Sequence, residues 1–164
     1  ALGGTGIFLS DGATNVIPVG PYRGENLTFE QLKENRESVH NAWRIGFNHT
    51  MHSLINGLYQ GWDLNPAQLP MRYAATYYFF LSSYNDAVFR LKTFVDRAAI
   101  STLTGDIFDD AATGQGLFNF FLKALNCDAV SEDEVLPTGL TLEEIQSRSF
   151  FRILEKRKIK SMHA

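Results

Sequence analysis

The sequence predicts an α/β fold of the barrel type, because short apolar strands alternate in it with long amphipathic helices. A buried strand is expected over Ile7–Leu9, before a Ser-Asp-Gly turn. A second strand is expected over Leu58–Leu64, where Pro66 prevents the hydrogen-bond ladder from continuing. Helical patterns precede and follow the second strand. Helix, strand, loop and helix in succession are the repeating unit of an α/β barrel.

The first long helix is predicted to begin at Thr28, which has the spacing of a capping box with Gln31, and to end at Asn56-Gly57. Its apolar residues recur at three- and four-residue steps and form one stripe, which comprises Val39, Trp43, Phe47, Met51 and Leu54. Such a stripe is typical of a helix that packs against a core.

Three further helices complete the predicted architecture. An aromatic-rich helix follows Pro70 for about six turns, and its stripe indicates core packing rather than a cofactor site. The run Ser101–Gly105 breaks that pattern, and a third helix carries Leu117 and Leu125. Thr141 and Glu144 form another capping box that opens a last helix. We therefore expect barrel structure over residues 1–100 and a helical lid or C-terminal extension over residues 101–164.

Composition bounds the function. The chain has 164 residues, of which 45% are hydrophobic and 20% charged, with a net charge of −3. No global basic field points to nucleic acid, and no apolar run reaches the roughly 20 residues of a membrane span. The single cysteine, Cys127, excludes an intrachain disulfide and favours a cytoplasmic location. The chain enters directly on a glycine turn, which favours a fragment or a processed protein.

Familiar catalytic signatures are missing from the sequence. It contains no P-loop, no Gly-x-Ser-x-Gly elbow, no His-Glu-x-x-His motif and no Cys-x-x-Cys pair. His49 and His52 would share a helix face, but a histidine pair without a carboxylate or thiolate neighbour is a weak metal site. Motifs of this kind therefore point to no particular reaction.

Three segments do resemble a known family. Gly57–Leu69 is similar to the eighth-strand segment of the superfamily of citrate lyase β-subunits, malyl-CoA lyases and HpcH/HpaI-type aldolases. Ile7–Val16 resembles the seventh strand and its loop in a less characterised branch, and Gly105–Gln115 resembles the C-terminal lid. The resemblance spans nearly the whole chain. It implies the C-terminal part of a (β/α)8 TIM barrel, with the last two strands and helices, followed by the helical extension.

The resemblance also implies a chemistry and its partners. The intact protein would be a metal-dependent carbon–carbon lyase or aldolase that acts through an enolate on a 2-oxo acid or a hydroxy-diacyl thioester. Magnesium would neutralise the developing oxyanion. Its ligands are expected upstream of residue 1, so none is assigned in this chain, and a CoA thioester is a possible substrate. Partners would be small oxo or hydroxy acids and further copies of the chain in a homo-oligomer, with no nucleic acid and no membrane.

Candidate site residues follow from the same resemblance. Ser10 and Asp11 would bind substrate at one strand end, and Asp63, Asn65 and Gln68 at the next. Asn65 stands where relatives carry histidine, so this position can donate and accept hydrogen bonds but cannot titrate. For Asp63, a role as a strand-end cap or a partner of another site residue is the alternative.

The resemblance places the catalytic acid or base in the lid. Asp110 matches the lid aspartate, and Asp109 beside it would raise its pKa by like-charge repulsion. An Asp pair just before a helix is also an ordinary N-cap, which is the alternative for both residues.

Two other functions remain open at this point. The chain would be a non-catalytic helical interaction module if the Asp pair is only a cap. It would be a related barrel enzyme that acts on phosphoenolpyruvate or pyruvate if it uses the same metal-stabilised enolate chemistry on different substrates.

Overall fold

The structure, a computed structural model, describes the backbone of residues 9–59, 61–104 and 111–162, and the side chains of 9–59, 61–98 and 112–159. Within these ranges it is all-α. The α-helices are α1 (Phe29–Ile55), α2 (Leu69–Thr104), α3 (Ala111–Asn126), α4 (Glu132–Val135), α5 (Leu142–Gln146) and α6 (Phe150–Met162). Two 3-10 helices span Pro66–Gln68 and Leu136–Thr138.

The prediction of an α/β barrel is wrong, because none of the described residues forms a β-strand. At the two ends of the segment predicted as the last strand, the backbone amides donate to nearby groups of the same chain segment or helix end. The amide of Leu58 donates to Ser53 O at 2.8 Å, and that of Leu64 donates to Gln68 Oε1 at 2.9 Å. Trp62 is 55% exposed, so the segment also lacks the buried face of a strand.

The other predicted strand is not present where the structure can test it. Ile7 and Phe8 lie outside the described residues, and Leu9 is 57% exposed. Further along the same loop, the amide of Val19 donates to Ile17 O at 2.9 Å, which makes a tight local turn. The apolar residues of this region therefore belong to a loop.

The prediction of α1 is confirmed at both ends. Thr28 Oγ1 accepts from the amide of Gln31 at 3.2 Å, and Gln31 Oε1 accepts from the amide of Thr28 at 2.9 Å, which is a capping box. At the other end, the amide of Asn56 donates to His52 O, and Gly57 adopts a φ of 77°. A glycine suits this left-handed position because it has no Cβ.

The last predicted helix is interrupted. The capping box of Thr141 and Glu144 is confirmed, but α5 ends at Gln146 and α6 begins at Phe150. Between them Arg148 has a φ of 53°, which a continuing α-helix does not allow. Conversely, α2 runs through Thr104, past the predicted break at Ser101.

The chain divides into two compact units, Ala1–Phe79 and Phe80–Ala164. The predicted boundary after residue 100 stays a prediction. The first unit has a small core, and Gly46 of α1 leaves room there for the side chain of Met71. Its buried apolar residues are Ala42, Leu54, Met71 and Ala75.

The second unit has an aromatic core. The rings of Phe80 and Phe120 pack edge to face with centroids 5.1 Å apart, and Phe120 packs likewise on Phe121 at 5.3 Å. Gly114 of α3 lies against the ring of Phe150. Across the described ranges, no helix combines the length and the apolar character needed to cross a membrane.

Candidate functional site

Gln68 connects the two segments in which the substrate-binding residues were predicted. Its side chain is buried, since the residue is 1% exposed. Its Nε2 donates to Thr14 O at 2.8 Å and to Val16 O at 3.3 Å, while its Oε1 accepts from the amides of Leu64 and Asn65. The amide group is thus fully engaged in holding two loops together and has no free atom to offer a substrate.

Asn65 and Asp63 are also bound within the chain. Asn65 Oδ1 accepts from the amide of Ala67 at 2.9 Å and caps the 3-10 helix Pro66–Gln68. The two carboxylate oxygens of Asp63 accept from Nε and Nη2 of Arg72 at 2.7 and 2.8 Å. Arg72 Nη2 also donates to Trp62 O at 3.0 Å. These contacts agree with the structural alternative that the sequence left open for Asp63.

Asp11 attaches the first loop to α1, whereas the Ser10 hydroxyl donates to the adjacent Asp11 O at 3.2 Å. The Asp11 carboxylate accepts from the Ser53 hydroxyl and, at 2.8 Å, from the amide of Gly12. The Ser53 hydrogen bond, then the Gly12 amide, and the charges of His52 and His49 lower the pKa of Asp11. A carboxylate with a lowered pKa is a weak base, so this contact holds the loop rather than activates the serine.

The histidines of α1 do not complete a catalytic or metal-binding set. His49 Nδ1 lies 3.1 Å from Thr14 Oγ1, and Asn56 Nδ2 donates to His52 O at 2.8 Å. No group of three or more His, Cys, Asp or Glu in the described part of the chain is arranged to hold a metal. The histidines of α1 therefore provide no set of ligands for a magnesium ion within the described residues.

The two predicted catalytic residues, Asp109 and Asp110, lie outside the described residues. Their assignment to a lid stays a prediction. The structure thus brings together the loops carrying Ser10, Asp11, Asn65 and Gln68, but through bonds that stabilise the fold.

An apolar groove between α1 and the start of α2 was not predicted as a site. It encloses about 430 Å³, and the residues that line it are Trp43, Arg44, Phe47, Pro70, Met71 and Ala74. Trp43 Nε1 donates to Ala67 O at 2.9 Å, which fixes the indole at the groove wall. The sequence assigned Trp43 and Phe47 to a core-facing stripe, yet Trp43 is 36% exposed.

A basic stripe of three residues, Arg36, His40 and Arg44, runs along α1, and its last member, Arg44, lines the groove. These residues are four apart on α1 and lie on the same face as Trp43 and Phe47. The His40 ring stacks on Trp43 with centroids 6.0 Å apart and planes 21° apart. Arg44 Nη2 donates to Asn41 Oδ1 at 2.8 Å. The spacing was visible in the sequence, but only the exposure of Trp43 shows that the face is a surface.

Comparison with known proteins gives a family and no activity. No curated protein and no solved structure matches the chain. The profile of one family, described as "Domain of unknown function (DUF6986)", matches residues 1–153. The chain therefore belongs to the DUF6986 family.

Proposed function

We propose that the first unit is a helical interaction module that binds an acidic, amphipathic segment of a protein partner. One observation carries the proposal. Among the described residues of this unit, four apolar side chains are buried, whereas fifteen large apolar side chains are exposed. Exposed apolar patches mark interaction sites in folded proteins, and the helical period gathers several of these side chains on one face of α1. The sequence left such a module open as an alternative to an enzyme.

The exposed face of α1 has the form of a docking surface. Phe29 is 76% exposed and Leu32 is 53% exposed, and the helical period places both on the side that carries Trp43 and Phe47. The groove beside Trp43 is concave and apolar, which suits the anchoring side chain of an amphipathic helix.

The charge of this face selects the partner. The basic stripe carries Arg44 at the groove and Arg36 about two turns earlier on the same face, while Glu37 on the same helix pairs with Lys33 at 3.9 Å. A partner with carboxylates beside its apolar anchors would complement the stripe, whereas a basic partner would be repelled. The occupant that fits is therefore an acidic amphipathic helix.

The test is direct binding of a designed peptide to the full chain. A labelled helical peptide of about 15 residues would carry leucines at four-residue spacing with flanking glutamates. Fluorescence anisotropy should show saturable binding that weakens as salt is added. A matched peptide with lysines in place of the glutamates should bind much more weakly.

Variants locate the binding surface. Ala74→Glu places a charge in the groove, and Arg44→Glu reverses the charge at its rim; each should weaken binding roughly fivefold or more. Arg23→Glu is the matched control, because Arg23 lies in the loop before α1, and it should bind like the unmodified chain. Equal binding by all three variants would rule out this surface.

A second candidate rests on a different observation. We propose as the alternative that the chain is part of a carbon–carbon lyase, as its resemblance implies. The Gln68 side chain supports this candidate because it joins Thr14 and Val16 to Leu64 and Asn65, in the two segments that resemble neighbouring substrate-binding segments.

Activity assays separate the two candidates. In the full gene product, magnesium-dependent cleavage of oxaloacetate or a malyl thioester would support the lyase, and turnover of phosphoenolpyruvate would indicate the related enzyme class. Asp110→Asn should then abolish turnover without changing the circular dichroism spectrum. Near-normal turnover by this variant would exclude Asp110 as the catalytic residue.

A further inference from the structure

A second cavity lies wholly within the unit that begins at Phe80. It encloses about 340 Å³ where α3 ends, α4 begins and α5 ends, which is within the size range of small-molecule sites. Leu122, Leu125, Val130 and Ile145 supply its apolar lining. Its polar lining consists of Asn126, Asp128, Ser131, Glu132, Gln146 and Arg148.

The charged groups of this cavity are not engaged in the fold. In the described part of the chain, the Asp128 and Glu132 carboxylates and the Arg148 guanidinium form no hydrogen bond or ion pair. Glu144, by contrast, receives two hydrogen bonds from Arg157, at 2.6 and 2.7 Å. Asp133 and Arg152, among the described residues of this unit, also form no side-chain contact but do not line the cavity. The cavity is therefore distinguished by having uncommitted charges of both signs around one space.

The backbone at the cavity is also unusual. Asp128 has a φ of 57° and Arg148 a φ of 53°, and they are the described non-glycine residues with positive φ. This left-handed conformation is disfavoured for residues with a side chain, least for Asp and more for a long side chain such as Arg. Both residues follow a helix end, where this conformation is a common way to end a helix, and both line the same cavity. At Asp128 the amides of Asp128 and Ala129 donate to Leu125 O and Ala124 O, so the helix ends shape the wall of the cavity.

We propose that this cavity binds a small zwitterion with an aliphatic body, such as a free aliphatic amino acid. Arg148 would receive the carboxylate through its guanidinium fork. Asp128 and Glu132 would receive the ammonium group, and Leu122 and Ile145 would contact the aliphatic side chain. The cavity offers one cation, two anions and an apolar floor. A zwitterion with an aliphatic body can use all of these groups, whereas a simple anion or a hydrocarbon can use only some of them.

Isothermal titration of the full chain tests the proposal, with L-leucine as the probe. L-Leucine should bind saturably at one site per chain. Isoamylamine lacks the carboxylate and 4-methylpentanoate lacks the amine, so each should bind roughly tenfold or more weakly. If L-leucine shows no saturable heat, or if either analogue binds equally well, the proposal is overturned.

Variants connect the binding to the cavity. Arg148→Gln and Asp128→Asn remove one charge each, and asparagine tolerates the left-handed backbone that position 128 requires. Each should weaken L-leucine binding roughly tenfold, while circular dichroism confirms that the helices are retained. Arg152→Gln is the matched control, since Arg152 lies in α6 and does not line the cavity. Binding by Arg148→Gln equal to that of the control would refute the assignment.

Discussion

In the unit that ends at Phe79, four apolar side chains are buried, whereas in the unit that begins at Phe80 fourteen are buried, counted over the described residues. The exposed large apolar residues show the reverse, with fifteen in the first unit and six in the second. The first unit is instead held by polar contacts, through Gln68 and the Asp63–Arg72 pair. The difference indicates that the second unit is organised around its own core, whereas the first exposes the apolar surface to which we propose that a partner binds.

We expect the largest loss of stability when an aromatic ring is removed from the core of the second unit. Phe121 is fully buried, so Phe121→Ala should lower the free energy of unfolding by about 3–5 kcal/mol. Phe89 is 72% exposed, and Phe89→Ala should change the free energy of unfolding by less than about 0.5 kcal/mol. Urea denaturation measures both. Similar losses in the two variants would contradict the assigned core.

Removal of the polar contact of the first unit should have the next largest effect. Gln68→Leu keeps the volume but leaves the buried backbone groups that contact Gln68 without their partner, at a cost of about 2–3 kcal/mol. Hydrogen exchange should show faster exchange at the amides of Leu64 and Asn65 in the variant. Unchanged exchange there would mean that Gln68 does not hold the loops.

The close packing of α3 can be tested with two glycines on the same helix. A Cβ on Gly114 would overlap the rings of Phe150 and Phe94, so Gly114→Ala should cost about 1–3 kcal/mol. A Cβ on Gly116 would meet nothing within 4 Å, so Gly116→Ala should stabilise by about 0.5–1 kcal/mol. Thermal unfolding distinguishes the opposite signs. A stabilising Gly114→Ala would show that the helices are not in contact at this point.

The smallest expected effect is a pH dependence within the second unit. Burial alone would raise the pKa of Glu144, but Arg157 and the amide and hydroxyl of Thr141 outweigh it, so the pKa lies below its usual value. Stability from this pair is therefore present above the unfolded pKa of Glu144 and lost as pH falls through its folded pKa.

The Arg157→Gln variant measures that contribution. It should lower the free energy of unfolding at pH 7 by about 1 kcal/mol, because both side chains keep some contact with water that screens the pair. The loss should shrink as Glu144 becomes protonated in acid. Arg152→Gln, on the same helix, serves as the control. An Arg157→Gln deficit that is equal at pH 7 and in acid would show that the ion pair is not responsible.

Several features were predictable because they depend on neighbouring residues. The capping boxes at Thr28 and Thr141 were confirmed, since each needs only two side chains three positions apart. The barrel was not predictable in this way. Apolar runs such as Leu58–Leu64 have the same composition in a strand and in a loop, and only the partner of their amides distinguishes the two.

The predicted site residues show the same contrast between what neighbouring residues determine and what distant residues determine. Sequence resemblance selected Asp63, Asn65 and Gln68 as binding residues, but their hydrogen-bond partners are set by residues far along the chain or by the local turn. The cavity with Asp128 and Arg148 carried no sequence motif. Two residues with positive φ and three uncommitted charged groups meet around this cavity, and they do so only in the folded chain.

By itself the sequence determined where α1 and α5 begin, that α1 has an amphipathic pattern and that no intrachain disulfide forms, because these properties follow from local spacing and residue identity. Tertiary structure alone decided that the stripe of Trp43 and Phe47 is partly exposed, that Gln68 is buried, and that Asp128 and Arg148 line one cavity. The physical reason is that burial and hydrogen-bond partnership depend on which distant segments meet, and a local pattern does not contain that information.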